Sequence, residues 1–183
     1  MGVPPWALHL AAQTEALGLA TLFVTGDQTE RDRASDQGHL VYNGPLTPED
    51  LAAATDAMGG ATVLAASDRE EANALALEWL AEHLGRPRLV HLPTAAAVDD
   101  HRNAKGTAMS AWGRELEGLV DQDDLRDRLE RGWRFTTTTV GHREPDDIAL
   151  VLSPAEGSPE IVTTDTDLDR HSDVAVVVLR APA

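Results

Sequence analysis

The sequence contains no cysteine, a single lysine and few aromatic residues, 4% of 183. Without cysteine, disulfides, zinc–thiolate sites and cysteine nucleophiles are excluded. With so few aromatics the core has to be built from Ala, Leu and Val; at 42% hydrophobic residues the chain has enough of them. No apolar run approaches the ~18 residues of a membrane span. The N-terminus lacks the charged and apolar regions of a signal peptide. These absences lead us to expect a soluble, cytoplasmic chain.

Positive charge is also scarce. The lysine is Lys105, the other basic residues are arginines, and 31 acidic against 15 basic residues leave a formal charge of -16. Such a surface repels phosphate backbones and anionic headgroups, which disfavours nucleic acid and basic-patch membrane docking. Catalytic signatures are missing too. There is no G-x-S-x-G elbow and no P-loop lysine. His9, His39, His83, His91, His101, His142 and His171 show no ligand spacing such as H-E-x-x-H, so no metal is predicted. Asp99-Asp100-His101 and Asp146-Asp147 read as solvated loop charge.

The chain does carry a regular alternation in its first half. Pro4-Pro5 opens a helix with Ala7, Leu10, Ala11, Thr14 and Leu17 at helical spacing, stopped by Gly18. Residues 20–24 (ATLFV) form a short apolar run, as expected of a strand buried on both faces. A polar helix over 29–37 ends at Gly38, and residues 39–43 (HLVYN) read as a strand. Thr47-Pro48-Glu49-Asp50 starts a helix that Gly59-Gly60 ends; residues 61–66 (ATVLAA) form the next strand. Ser67-Asp68 then caps a long helix whose apolar face carries Ala72, Leu75, Ala76, Trp79 and Leu80; residues 88–92 (RLVHL) are a further strand. Strands alternating with helices imply a parallel α/β sheet with right-handed crossovers, a nucleotide-type fold over residues 1–93. Residues 94–107 lose periodicity and read as a linker. Residues 108–183 hold one short helix (123–131) and β-branched runs at 133–140, 148–152, 160–164 and 174–179, a small antiparallel, β-rich α+β domain.

Four segments resemble the cytosolic C-terminal part of bacterial sodium:proton antiporters, which carry a TrkA-N or RCK-N type domain. They are residues 2–7 (GVPPWA), 38–44 (GHLVYNG), 61–84 (ATVLAASDREEANALALEWLAEHL) with Gly85-Arg86, and Gly113-Arg114 followed by Gly132-Trp133 and the threonine run. The resemblance implies a Rossmann-like regulatory domain that senses an adenine nucleotide (AMP, ADP or ATP) or NAD(H). It further implies a homodimer that biases transport by an attached membrane domain of the same protein or complex, at the inner face of the membrane.

Set against a dinucleotide fingerprint, two features differ. Gly2 stands alone where G-x-G-x-x-G would be, with Pro4-Pro5 in the place of glycines; Thr25 holds the usual place of the ribose-gripping acid, with Asp27 two residues on. The strand that would precede Gly2 is also missing, so it comes from upstream residues of a longer protein, from residues 174–179 or from a partner chain. Ligand contacts are expected at the loops following the strands and at helix starts: Gly2, Pro4, Trp6, Thr25, Asp27, Asn43, Gly44, Ser67, Asp68 and, inside the long helix, Asn73. Capping explains Ser67 and Asp68 equally well, and a hydrogen bond to the neighbouring loop explains Asn73. Trp6, Trp79, Trp112 and Trp133 read as packing residues able to stack a base. A ligand-free assembly domain and, more remotely, a nucleotide-dependent α/β enzyme remain the alternatives.

Overall fold

A computed structural model describes residues 3–43, 47–57, 61–98, 114–116, 118–119, 121–155 and 159–182. Five helices and nine strands organise them. Helix α1 (Pro5–Ala16) starts where Pro4, in extended backbone, places a second proline at the first helical position; it ends before Gly18, whose φ of 79° ordinary residues avoid. Strand β1 (Leu22–Val24) leads to α2 (Gln28–Asp36), which Asp27 caps by accepting the Glu30 N–H at 3.0 Å. Strand β2 (Leu40–Tyr42) is followed by α3 (Pro48–Ala57). There Thr47 Oγ1 accepts the Asp50 N–H at 3.2 Å and donates to the Asp50 carboxylate at 2.6 Å. Strand β3 (Val63–Ala65), α4 (Glu70–Leu84) and β4 (Leu89–His91) complete the alternation. Each lies within about two residues of its expected place.

All described pairings in this first half are parallel, yet they form two small sheets. β1 pairs with β2, Leu22 opposite Leu40; β3 pairs with β4, Val63 opposite Leu89. A third parallel strand, β5 (Arg114–Glu115), lies beside β4, an addition the sequence did not suggest. Side chains alternate across this layer as the pleat requires. Phe23 and Val41 pack with Leu8 and Ala11 of α1 and Ala34 of α2. Val24, Val63, Ala65 and Leu89 pack instead with Leu51 of α3 and Leu77 and Leu80 of α4. Helices therefore cover both faces.

Helix α5 (Gln122–Glu130), capped by Asp121 through the Asp124 N–H at 2.8 Å, precedes four strands: β6 (Arg134–Thr139), β7 (Ile148–Ser153), β8 (Glu160–Ile161) and β9 (Ala175–Arg180). They form the expected antiparallel sheet, in the order β6-β9-β7-β8. Its central strand β9 carries four consecutive residues, Val176 to Leu179, with no solvent exposure. One core cluster joins the two halves: Trp6 of α1 and Val90 of β4 share it with Leu125 of α5, Val151 of β7 and Leu179 of β9. Residues 95–98, within the stretch read as a linker, form a helical turn with Val98 buried.

Three expectations are corrected. Residues 174–179 do not supply a strand to the parallel layer, because β9 is hydrogen-bonded on both edges inside the antiparallel sheet. The apolar face of α4 is rotated from the one expected: Asn73, Ala76, Leu77 and Leu80 are buried, while Leu75 is 43% exposed. Ser67 and Asp68 are not the cap of α4; Arg69 holds that position without a side-chain bond, because Ser67 is engaged elsewhere.

Candidate functional site

Between the two parallel sheets lies a cavity of about 550 Å³. All of β1 and all of β3 line it, with α1 contributing from one face of the layer and α3 and α4 from the other. Four of the expected site residues, Pro4, Trp6, Ser67 and Asn73, come together on its wall. Glu160 is the one ionisable side chain in the described lining. Most of the remaining lining is Ala, Leu, Val and Thr, with Phe23 and Ile161 among it. Such a volume falls in the range of small-molecule sites, roughly 300–1,000 Å³.

Thr25, Asp27, Asn43 and Asp68 do not line the cavity, and Gly2 and Gly44 lie outside the described residues. Thr25 and Asp27 are drawn into the start of α2. Thr25 Oγ1 donates to the Glu30 carboxylate at 2.6 Å and accepts the Asp27 N–H at 3.1 Å, while Arg31 donates to the Thr25 carbonyl at 3.0 Å. Thr25 is fully buried by these contacts.

Asn73 is likewise a structural lock. Fully buried one turn into α4, its Oδ1 accepts from the Ser67 hydroxyl at 2.6 Å and the Ser67 N–H at 3.2 Å. Its Nδ2 donates to the Ser67 carbonyl at 2.9 Å. The loop after β3 is thus pinned to the helix that follows, consistent with the hydrogen-bond reading of this residue. Gln122 adds a clasp from the other side, donating from Nε2 to the Ser67 carbonyl at 2.9 Å and the Leu92 carbonyl at 3.1 Å.

A second polar pair at the same strand ends escaped sequence reasoning. His91, the last residue of β4, has a side chain only 4% exposed, and its Nε2 lies 2.9 Å from Oε2 of Glu70. Glu70 also accepts the Thr94 N–H. Burial alone would raise the Glu70 pKa, but the His91 and Thr94 hydrogen bonds outweigh it and hold the carboxyl below its ordinary value. In the sequence Glu70 reads as one more acid in a helix's first turn, and nothing local links it to a histidine 21 residues away. Gln122 offered no signal, lying one residue ahead of the helix expected over 123–131.

Elsewhere the flagged residues prove structural. Asp147 is buried and takes three contacts of 2.6–3.2 Å from the Arg180 guanidinium, so it is a paired acid and not solvated loop charge. Trp79 and Trp133 pack against hydrophobic clusters, with Arg128 stacked over Trp133 at 4.9 Å; Trp112 lies outside the described residues. His39 is buried, 2.9 Å from Glu15 and edge-on to Phe23. Trp6 differs: its side chain is buried, yet its indole Nε1 has no hydrogen-bond partner among the described residues. A buried unpaired donor costs roughly 1–3 kcal/mol.

Fold and site together define a mixed α/β protein with parallel and antiparallel sheets and an apolar cavity in its parallel layer. Among the described residues no helix is long and apolar enough to cross a membrane, and no group of three His, Asp or Glu could hold a metal. Neither a family model nor a curated protein matches the chain.

Proposed function

We propose that this chain is a ligand-sensing regulatory domain of a cation:proton antiporter. In this reading the parallel layer is Rossmann-like, an adenine nucleotide or NAD(H) is sensed at its strand ends, and the geometry of a homodimer carries the signal to the attached transporter on the cytoplasmic side. The observation that carries the proposal is the position of the cavity. It opens within a parallel layer covered by helices on both faces, beside the start of α1 and the loop after β3, where open α/β layers take their ligands. Helix α1 begins without a side-chain cap, so the positive end of its dipole suits an anionic group, and Trp6 there offers an aromatic surface to a base. A wall with one ionisable side chain suits binding and release better than proton transfer.

The mechanism is a population shift. A nucleotide that prefers one dimer geometry moves the equilibrium by the ratio of its two affinities, and the transporter follows. Thermal unfolding with AMP, ADP, ATP, NAD and NADH tests this. A specific ligand at a hundredfold excess over Kd is expected to add about 2.7 kcal/mol. Trp6→Ala is expected to abolish the increment. Failure of all five ligands to shift unfolding overturns the sensing role. It leaves the assembly reading, which the internal satisfaction of Thr25, Asp27, Ser67 and Asn73 favours. Turnover of NADH with a small substrate returns the enzyme.

A further inference from the structure

We propose that Glu160 reads the base of the sensed nucleotide: its carboxylate accepts the exocyclic amino group of adenine, so the cavity takes 6-amino purines and rejects 6-oxo purines. The inference rests on the nucleotide-sensing reading and names the residue that sets its specificity. Glu160 belongs to β8, the two-residue edge strand of the antiparallel sheet, and lines the cavity with its neighbours Pro159 and Ile161. Adenine is the part common to AMP, ADP, ATP and NAD(H), so a group that recognises it serves the whole set.

The cavity has two chemically different ends. Thr14, in the last turn of α1, meets Thr21, the residue before β1, hydroxyl to hydroxyl at 2.8 Å. Helix α1 therefore finishes at the amino ends of the parallel strands, and its start, with Pro4 and Trp6, lies toward their carboxyl ends. Glu160 lies toward the amino ends, because Thr62, the residue before β3, donates to the adjacent Pro159 carbonyl at 3.2 Å. One end thus presents the positive end of a helix dipole and the other a carboxylate. Strands of three residues set the ends on the order of 10 Å apart, about the reach of a purine nucleotide from its exocyclic nitrogen to its first phosphate.

Charge decides which way round the ligand lies. No Arg, Lys or His is among the described lining residues, so phosphates inside would lack a counter-charge, and Glu160 repels them. They belong at the start of α1, with the uncharged base between the apolar walls and its edge at Glu160. A carboxylate accepts hydrogen bonds and donates none. Adenine turns an N–H donor toward it, whereas a 6-oxo purine turns a carbonyl oxygen, acceptor against acceptor. Glu160 has acceptor capacity to spare. Among the described residues its one hydrogen bond comes from Thr166 Oγ1 to Oε1 at 3.2 Å, and Arg114 Nη1 stands 3.8 Å from the same oxygen. These neighbours hold the carboxylate as part of the fixed frame that the antiparallel half provides. The side chain is 44% exposed, which keeps the discrimination below that of a sealed site.

Calorimetric titration of the full chain with AMP against IMP, and with ATP against ITP, tests this. The parent chain is expected to bind each amino member about tenfold or more tightly than its oxo counterpart. Glu160→Gln, whose amide offers a donor beside its acceptor, is expected to bring each pair to within about threefold. Each ratio compares two ligands on one protein, so a change in stability cancels. Glu160→Asp keeps the carboxylate and is expected to keep the preference for the amino member. Equal binding of the pairs by the parent chain or by Glu160→Asp, or an undiminished preference in Glu160→Gln, overturns the role of Glu160 and leaves the sensing role standing. Binding of none of the four overturns both.

Discussion

The two halves of the molecule use similar residues to opposite effect. The antiparallel sheet has three six-residue strands, a central strand paired on both edges, and four successive β9 residues sealed from solvent. The parallel layer has strands of two or three residues split between two sheets, with a cavity of about 550 Å³ where they part. Full pairing makes a region stiff and chemically silent, whereas incomplete pairing leaves room for something else to bind. On this comparison the antiparallel half is expected to anchor the domain and the parallel half to hold whatever adjusts.

Truncation of matched leucines is the strongest way to break that contrast. Leu179→Ala in β9 is expected to cost about 2–5 kcal/mol in urea unfolding, as large-to-small changes in close-packed cores do. Leu22→Ala, half-buried on the cavity wall, is expected to cost about 1 kcal/mol or less, because the neighbouring atoms it would abandon are already few. Equal costs would dissolve the distinction.

Next in size is Asn73→Ala. It removes three hydrogen bonds to Ser67 and leaves that residue's N–H and hydroxyl buried without this partner, an expected loss of about 2 kcal/mol. The change should also loosen the loop after β3, seen as faster amide exchange at residues 66–69.

Asp147→Asn, which weakens the Arg180 fork in the antiparallel half, is expected to cost about 2 kcal/mol near neutral pH. The Asp147 pKa is pushed up by burial, but Arg180 and the Glu144 N–H outweigh that and hold it below its ordinary value. A carboxyl with a lowered folded pKa binds protons less readily folded than unfolded. Its stabilisation is complete above the unfolded value and is lost as acid protonates the folded form. Unfolding midpoints between neutral pH and pH about 3 should fall for the parent chain and fall less for the variant.

The smallest expected effect belongs to the parallel half. Glu70→Gln keeps an acceptor for the Thr94 N–H and loses the charge facing His91, at a cost of about 1 kcal/mol. The acid-side sign is the same as for Asp147, because the Glu70 pKa is also lowered. If Glu70→Gln proves the costlier of the two, the parallel half is the anchor and the comparison is inverted.

How much of this was legible in the sequence depends on whether its cause is local. The apolar runs at 20–24 and 61–66, the prolines at the starts of α1 and α3, and the glycines that stop helices all act within a few residues. The elements they predict are present. The antiparallel sheet was legible because its β-branched runs are long. What escaped was set by contacts distant in sequence. Ser67 looked like a cap because serine before a helix usually is one, but Asn73 draws its hydroxyl away. Leu75 looked like core because periodicity does not reveal which way a helix is rotated, and the buried Asn73 fixes that rotation. The pairing of Glu70 with His91 and the place of β5 beside β4 join segments more than 20 residues apart. Of the candidate site, the sequence pointed to the strand ends; it did not reveal that the cavity lies between strands and not at their tips alone.

The central claim is that the parallel half answers to a ligand while the antiparallel half only supports it. Titrating the isotope-labelled chain with ADP, and separately with NAD, while following backbone amide NMR shifts tests it most directly. The account predicts shifts concentrated at residues 3–7, 22–24 and 63–67, which line the cavity, with β6 and β9 unmoved. Shifts centred on the antiparallel sheet, or none with either nucleotide at millimolar concentration, would contradict it.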